Sequence, residues 1–259
     1  MAQPNQGAVM TDASLSAGRF AAGDFRLGHV FRRTSSLVLR NFPIFFVVAV
    51  VAGLPTNLLL LEASDLADDS IQALLLGALG FVLWMVLSTL SQAILLYAAF
   101  QDMLGKRLDL GKSILVGLRR LFPALGVSIG VMLLGLLGLV AFVIPGLILF
   151  TNCFVAIPVC VVEERGVSDS MRRSADLTAG HRWQIFGPTV LLLVADAIVD
   201  NAIDTTLSAF AGSLPALVGH AIWSGVWGAF FAIFAVVAYH DLRVAREGVD
   251  TAQIAVVFE

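Results

Sequence analysis

Three of the seven stretches that flank or join the long apolar runs of this 259-residue chain contain no lysine or arginine at all. All sixteen cationic residues lie in the other four. Arg19, Arg26, Arg32, Arg33 and Arg40 precede the first run, and Lys106, Arg107, Lys112, Arg119 and Arg120 lie between the second and third. Arg165, Arg172, Arg173 and Arg182 separate the fourth from the fifth, and Arg243 and Arg246 follow the sixth. Cationic flanks stay cytoplasmic while long apolar segments insert, so this alternation predicts six membrane spans with both termini in the cytoplasm. Acidic residues obey no such rule: Glu62, Asp65, Asp68, Asp69, Asp196, Asp200 and Asp204 fall on the outer side.

Charge as a whole is scarce. With 14% charged against 58% hydrophobic residues, there is too little polar surface to cover a soluble domain. The net charge of −3 averages a basic inner face with an acidic outer one and points away from nucleic acid as a partner. Residues 1–18 show no cationic segment followed by an apolar one, so no cleaved signal peptide is expected and the first span serves as the anchor. Cysteine is limited to Cys153 and Cys160, seven apart on one predicted helix and so about 10 Å apart along its axis. That separation excludes a bond between them and leaves them as small core residues in preference to redox or metal groups. Four scattered histidines, with no phosphate-binding loop, zinc spacing or Ser-His-Asp order, give no catalytic residue, metal or cofactor to predict.

The runs themselves are long. The first covers about 42–61, with Pro43 in its opening turn and Pro55 predicted to kink its outer third. The second, about 71–100, has neither proline nor charge and makes roughly 45 Å of helix against a hydrocarbon core of about 30 Å, so it must tilt or protrude. The third, about 123–144, ends at Pro145-Gly146 in a tight outer turn, and the fourth follows to about Val162. The fifth starts near Ile185 and the sixth covers about 214–239. No outer loop is long enough for a folded domain.

Before three of these runs the sequence repeats itself. LGHVFRRTSSLVLRNFPIFF (27–46), LGKSILVGLRRLFPALG (110–126) and VSDSMRRSADLTAGHRWQIFG (167–187) each set a basic pair in an amphipathic segment, followed by Phe42, Phe122 or Trp183. The pattern predicts three units, each an in-plane helix and a transmembrane hairpin. Plain positive-inside loops with interfacial anchors are the alternative. The expected organisation is a disordered cytoplasmic segment over 1–23, a six-span all-α domain over 24–248 and a cytoplasmic tail over 249–259.

One block is more specific: PGLILFTNCFVAIPVCVVEERGVSDSMRRSADLTAGHRWQIFG, residues 145–187. Through Pro145-Gly146, Glu163, Gly166-Val167, Arg173-Ser174, Leu177, Gly180 and Arg182-Trp183, with Tyr239 and Asp241-Leu242-Arg243 further on, the chain resembles the membrane domain of bacterial glycerophosphodiester phosphodiesterases. It is similar also to related stand-alone six-span proteins. The resemblance extends over most of 24–248 and implies a multi-pass bacterial inner-membrane fold of unassigned role. The catalytic phosphodiesterase domain is absent from this sequence, so no catalysis is carried over.

Polar residues within the runs supply the remaining candidates. Asp196, Asp200 and Asp204 are four apart and form one stripe on a continued helix, opposite Ile198, Ala202 and Ile203. Either they face an outward cation or proton path, or the fifth span ends near Asp196 and a surface helix follows. Counting from Ile185 and Tyr239 sets His220 level with Asp204 and Trp223 level with Asn201. His220, Trp223 and Trp227 share a face and fit an aromatic belt. Glu163, at a helix C-terminus where the dipole disfavours anions, needs a cation. Arg172, Arg173 and Arg243 are candidates, and a structural ion pair of Glu163, with Arg243 foremost, tying the fourth span to the sixth or to the third in-plane helix is expected. Asn57, Ser88, Ser91, Gln92, Asn152 and Ser224 can bond across helices, and Gly77, Gly80, Gly126, Gly130, Gly135 and Gly138 fit close packing.

Three functional readings follow. A non-enzymatic module engages anionic lipid, or a protein partner in the membrane, through a basic girdle of Arg32, Arg33, Arg40, Arg119, Arg120, Arg172, Arg173 and Arg182. Alternatively, the acidic face of the fifth and sixth spans serves a small-molecule or ion transporter, or the chain is a membrane-embedded lipid enzyme.

Overall fold

The computed structural model describes residues 27–64, 71–141, 143–211 and 213–247. The expected segment 1–23, the tail 249–259, Arg19, Arg26, Asp65, Asp68 and Asp69 lie outside them, as does the side chain of Glu62. Among the described residues every regular element is an α-helix: α1 (Leu27–Arg40), α2 (Phe42–Ser64), α3 (Ile71–Met103), α4 (Leu110–Ala141), α5 (Val143–Asn152), α6 (Ala156–Val162), α7 (Val167–Thr178), α8 (Arg182–Ala211) and α9 (Ser213–Glu247).

Five of these, α2, α3, α4, α8 and α9, are long and apolar enough to cross a membrane. Their outward faces carry exposed Leu, Val, Ile and Phe side chains such as Leu58, Leu75, Leu137 and Leu191, a surface that suits lipid rather than water. In α9 56% of the apolar window is buried, against 11–17% in the other four, so α9 is the central strut. It packs on α1, α2, α3, α6, α7 and α8, and its Ile233, Phe234, Val236, Val237, Tyr239 and Leu242 form the main core with Phe45, Leu95 and Val159.

The fourth apolar run is not one helix. Pro158 stands in the first turn of α6, where its missing N–H costs nothing and its ring crowds the carbonyl four residues earlier, at Phe154. The chain leaves helical geometry over 153–155, between α5 and α6. Ser174 of α7 repairs the gap: its buried hydroxyl donates to the Asn152 carbonyl (2.6 Å) and accepts the Val155 N–H (3.2 Å). Cys153 and Cys160 consequently do not share a helix, as the sequence pattern had it; both are free and buried in a small cluster with Val127 and Ala156.

Two of the three amphipathic segments are helices in their own right. Asn41 separates α1 from α2, and Gly180, at φ +89°, turns the chain between α7 and α8. The second segment departs from the expected pattern. Capped by Asp109, whose carboxylate accepts the Lys112 N–H (3.0 Å), α4 runs on through Phe122-Pro123 without a break, because a single proline removes one hydrogen bond and no left-handed or polar turn follows it. Close packing is seen at Gly126, Gly130 and Gly138, where an added Cβ would come within 2.6 Å of Val167, 3.2 Å of Met171 and 2.5 Å of Gly146. At Gly77 and Gly135 it would meet nothing within 4 Å, so those two are not packing points.

Removing the Ser174 hydroxyl leaves two backbone groups at the α5–α6 break unpaired. Ser174→Ala is expected to lower stability by about 1–3 kcal/mol, read as a fall in the thermal midpoint in detergent; an unchanged midpoint would show that the break needs no such repair.

Candidate functional site

The basic ends of the helices converge on Glu163, the residue that closes α6. Its carboxylate, only 9% exposed, accepts hydrogen bonds from Arg165 Nε (2.7 Å), the Tyr239 hydroxyl (2.9 Å) and Arg173 Nε (3.4 Å). Arg243 donates to the Tyr239 oxygen (3.4 Å) and, through Nε, to Glu247 (2.9 Å). Glu247 pairs in turn with Arg173, which closes a ring of five side chains from α6, α7 and α9. Burial works against the charge of Arg173, but its hydrogen bonds to Glu247 and Glu163 and the charges of those carboxylates hold its pKa above the ordinary arginine value. Beside the ring, Arg246 Nη2 donates to the Ala179 carbonyl (2.5 Å) and satisfies the end of α7. Of the two ties expected for Glu163, the one to the third amphipathic segment, α7, is made through Arg173, and a direct Glu163–Arg243 pair is not formed. Tyr239 stands between the two, one helical turn before Arg243, and the cations on Glu163 itself are Arg165 and Arg173.

The girdle arginines divide in two. In each basic pair the second arginine turns inward: Arg33 to Asp241 (3.7 Å), Arg120 to the carboxylate and backbone carbonyl of Glu164, and Arg173 to Glu163 and Glu247. The first of each pair, Arg32, Arg119 and Arg172, is exposed and makes no ion pair among the described residues. Arg40 is tied as well, to Asp102, which also accepts from Asn41 Nδ2 (3.1 Å). The Arg40–Asp102 hydrogen bond, and then the Asp102 charge, push the Arg40 pKa upward. Arg182 remains exposed next to Trp183. Arg120 holds Glu164 in place at φ 56°, the single positive-φ non-glycine residue among those described. Asp102, Asp241 and Glu247 were not among the candidates read from the sequence as partners of these arginines. The four-residue spacing of Tyr239, Arg243 and Glu247, which sets all three on one helical face, was the available signal.

At the opposite end, α8 continues unbroken past Asp196, so the alternative of a separate surface helix after it is corrected. The carboxylates are partnered: Asp196 accepts from Trp223 Nε1 (2.9 Å), and Asp200 bonds His220 Nδ1 (2.6 Å). Asp204 is exposed and makes no hydrogen bond among the described residues. The register predicted for His220 and Trp223 is therefore one turn off. Both inner edges assumed for the count differ from the helix ends, since α8 begins at Arg182, three residues ahead of Ile185, and α9 runs to Glu247, eight residues beyond Tyr239, and the ends do not fix how the two helices pack. Trp223 and Trp227 do share a face and stack at 5.6 Å. The expected cross-helix bonds of Asn57, Ser88 and Ser224 are also corrected, since each donates to a carbonyl of its own helix: Gly53, Met85 and Ala221 respectively. A side-chain contact that does cross between helices is Thr89–Ser128 (3.4 Å).

Residues 112–242, just over half of the chain, match the family described as Domain of unknown function (DUF7847). The chain belongs to this family. No curated protein and no solved structure matches it. The DUF7847 region takes in Glu163, Arg173 and Tyr239 from the ring, the Arg120–Glu164 tie and both acid-aromatic contacts at the other end. Arg243 and Glu247 lie just beyond its boundary, and α1 with Arg32 and Arg33 lies well before it.

If the ring is a coupled unit, its members are non-additive. A double-mutant cycle of Glu163→Gln and Tyr239→Phe, measured by unfolding in detergent, is expected to give a coupling of about 0.5–3 kcal/mol; simple additivity would mean that the hydroxyl and carboxylate act independently.

Proposed function

We propose that this DUF7847 chain is a non-enzymatic, six-span module of the bacterial cytoplasmic membrane, with both termini cytoplasmic, that engages anionic lipid through its exposed arginines. The observation that carries the reading is the company those arginines keep. Arg32 lies beside exposed Phe31, and exposed Leu39 follows on the same helix; Arg119 sits among exposed Leu115, Leu118 and Phe122; Arg182 is next to exposed Trp183. A guanidinium flanked by unburied apolar side chains has the composition of a surface that enters the headgroup region, where each basic group gains about 1 kcal/mol from anionic lipid. Exposed Lys106, Arg107 and Lys112 extend the same surface. Arg172 differs: its exposed neighbours on α7 are Ser168, Asp169 and Asp176, which suits water and leaves it outside the lipid-facing set.

The six-span count takes α5 and α6 together as the fourth crossing, some twenty residues from Val143 to Val162 whose break lies against α7 rather than lipid. Orientation rests on the partition of Lys and Arg. The likeness to the membrane domain of bacterial glycerophosphodiester phosphodiesterases is consistent with this placement, and its quoted residues Glu163, Arg173, Tyr239 and Arg243 all fall in the ring. Structural ties occupy these groups, which leaves them poorly suited to acid–base chemistry.

The test separates exposed from tied arginines in nanodiscs. Phosphatidylglycerol in place of phosphatidylcholine is expected to raise the thermal midpoint, and Arg32→Gln/Arg119→Gln/Arg182→Gln to abolish that increment with the midpoint in phosphatidylcholine unchanged. Arg33→Gln and Arg120→Gln are expected to lower the midpoint in both lipids. An increment that survives the triple substitution would reject lipid engagement by these residues.

A further inference from the structure

Between α2, α3 and α9, within the membrane-crossing part of the bundle, lies a cavity of about 400 Å³. That is the size of a small-molecule site. Its polar lining comes from Asn57, Ser88, Ser91, Gln92, Ser224 and His220, and none of its lining residues is Asp, Glu, Lys or Arg. Because Asn57, Ser88 and Ser224 direct their hydrogens to carbonyls of their own helices, the Asn57 carbonyl oxygen and the hydroxyl lone pairs remain for another partner. Thr56 also lines the cavity; it is 5% exposed, and its buried hydroxyl has no hydrogen-bond partner. A buried hydroxyl left unpaired is destabilising, and a ligand oxygen toward which the Thr56 side chain turned would restore its hydrogen bond. His220 adds a directed group: Asp200 engages its Nδ1, leaving Nε2 as the ring nitrogen open to a ligand.

The space is real rather than a packing seam. A Cβ added at Gly77 or Gly228, both on the wall, would meet nothing within 4 Å. At Gly225 one would sit 2.9 Å from Val50 Cγ2, so there α2 and α9 close the wall. Phe81 and Trp84, also in the lining, are half exposed on the outer surface of α3 and pack at 5.9 Å, forming an apolar rim toward the surroundings of the bundle.

We propose that this cavity binds the uncharged polar head of a membrane-soluble molecule, one bearing hydroxyl or carbonyl oxygens on an apolar body. A phosphate or carboxylate would enter without a counter-charge, whereas neutral oxygens find donors and acceptors on three sides. Diacylglycerol and an isoprenoid quinone are two sources of that chemistry. The proposal does not depend on lipid contact at the basic end of the bundle.

The experiment uses the full chain in nanodiscs with three photoactivatable probes: a diacylglycerol, a quinone and, as the charged control, a phosphatidylglycerol. One neutral probe is expected to label the α3 segment around Phe81 and Trp84 at least tenfold above the control, and which of the two labels it identifies the source. Gly228→Leu, which fills the cavity, is expected to reduce that labelling at least tenfold. Should that variant fail to fold, Thr56→Val decides alone: labelling is expected to fall several-fold while the thermal midpoint without probe stays level or rises, because an unpaired hydroxyl has been removed. Labelling no stronger than the charged control, or undiminished in a folded variant, would overturn the proposal.

Discussion

The carboxylate of Glu163 is the constraint around which the rest of the structure is arranged. Withdrawn from water at the C-terminal end of a helix, it would be destabilised by several kcal/mol without compensating charge and hydrogen bonds. Arg165, Arg173 and Tyr239 supply them, and Arg243 and Glu247 complete the ring. At seven residues, α6 is too short to be stable by itself, and it follows directly on a break. Its two ends are fixed by different devices, the Ser174 hydroxyl at the break and the ring at Glu163. Both involve α7, which acts as the clamp holding a broken apolar segment against the buried strut α9.

Adjacent residues on an α-helix point about 100° apart, so two consecutive arginines meet different surroundings. That geometry allows the division in all three basic pairs, and the position of the acidic partners sets it. Asp241 of α9, Glu164 after α6, and Glu163 with Glu247 each take the second arginine, while the first remains outside. The ties link α1, α4 and α7 to the centre of the bundle at one level, and the remaining cations form an outer layer. One sequence motif thus serves internal attachment and outward charge at once.

The partition of Lys and Arg and the long apolar runs made the helical membrane architecture legible in the sequence, because they reflect transfer from water to lipid and need no tertiary partner. Features that depend on neighbours were less visible. The break over 153–155 was signalled by Pro158, but only its repair by Ser174, nineteen residues beyond Val155, makes it tolerable. The register of His220 was missed by one turn because the helix ends that hydropathy suggests, at Ile185 and Tyr239, are not the ends of α8 and α9 and do not determine how those helices pack. Tyr239 as the bridge between Glu163 and Arg243 follows from distances between α6 and α9 that no local pattern encodes. The polar residues of the apolar runs were recognised as such, but their shared cavity is a product of how α2, α3 and α9 pack.

The two ends of the molecule accordingly differ in character. The basic end joins its helices by charged hydrogen bonds and presents further cations outward, whereas the interior toward the other end holds neutral polar groups around open space with His220 anchored by Asp200. The central claim is the division of labour within the arginine pairs. The most direct measurement is magnetic dephasing between guanidinium nitrogen-15 and lipid phosphorus-31 in phosphatidylglycerol bilayers, recorded by solid-state NMR. The account predicts clear dephasing in the parent chain, a marked loss in Arg32→Gln/Arg119→Gln, and no loss in Arg33→Gln. Equal dephasing in all three would contradict it.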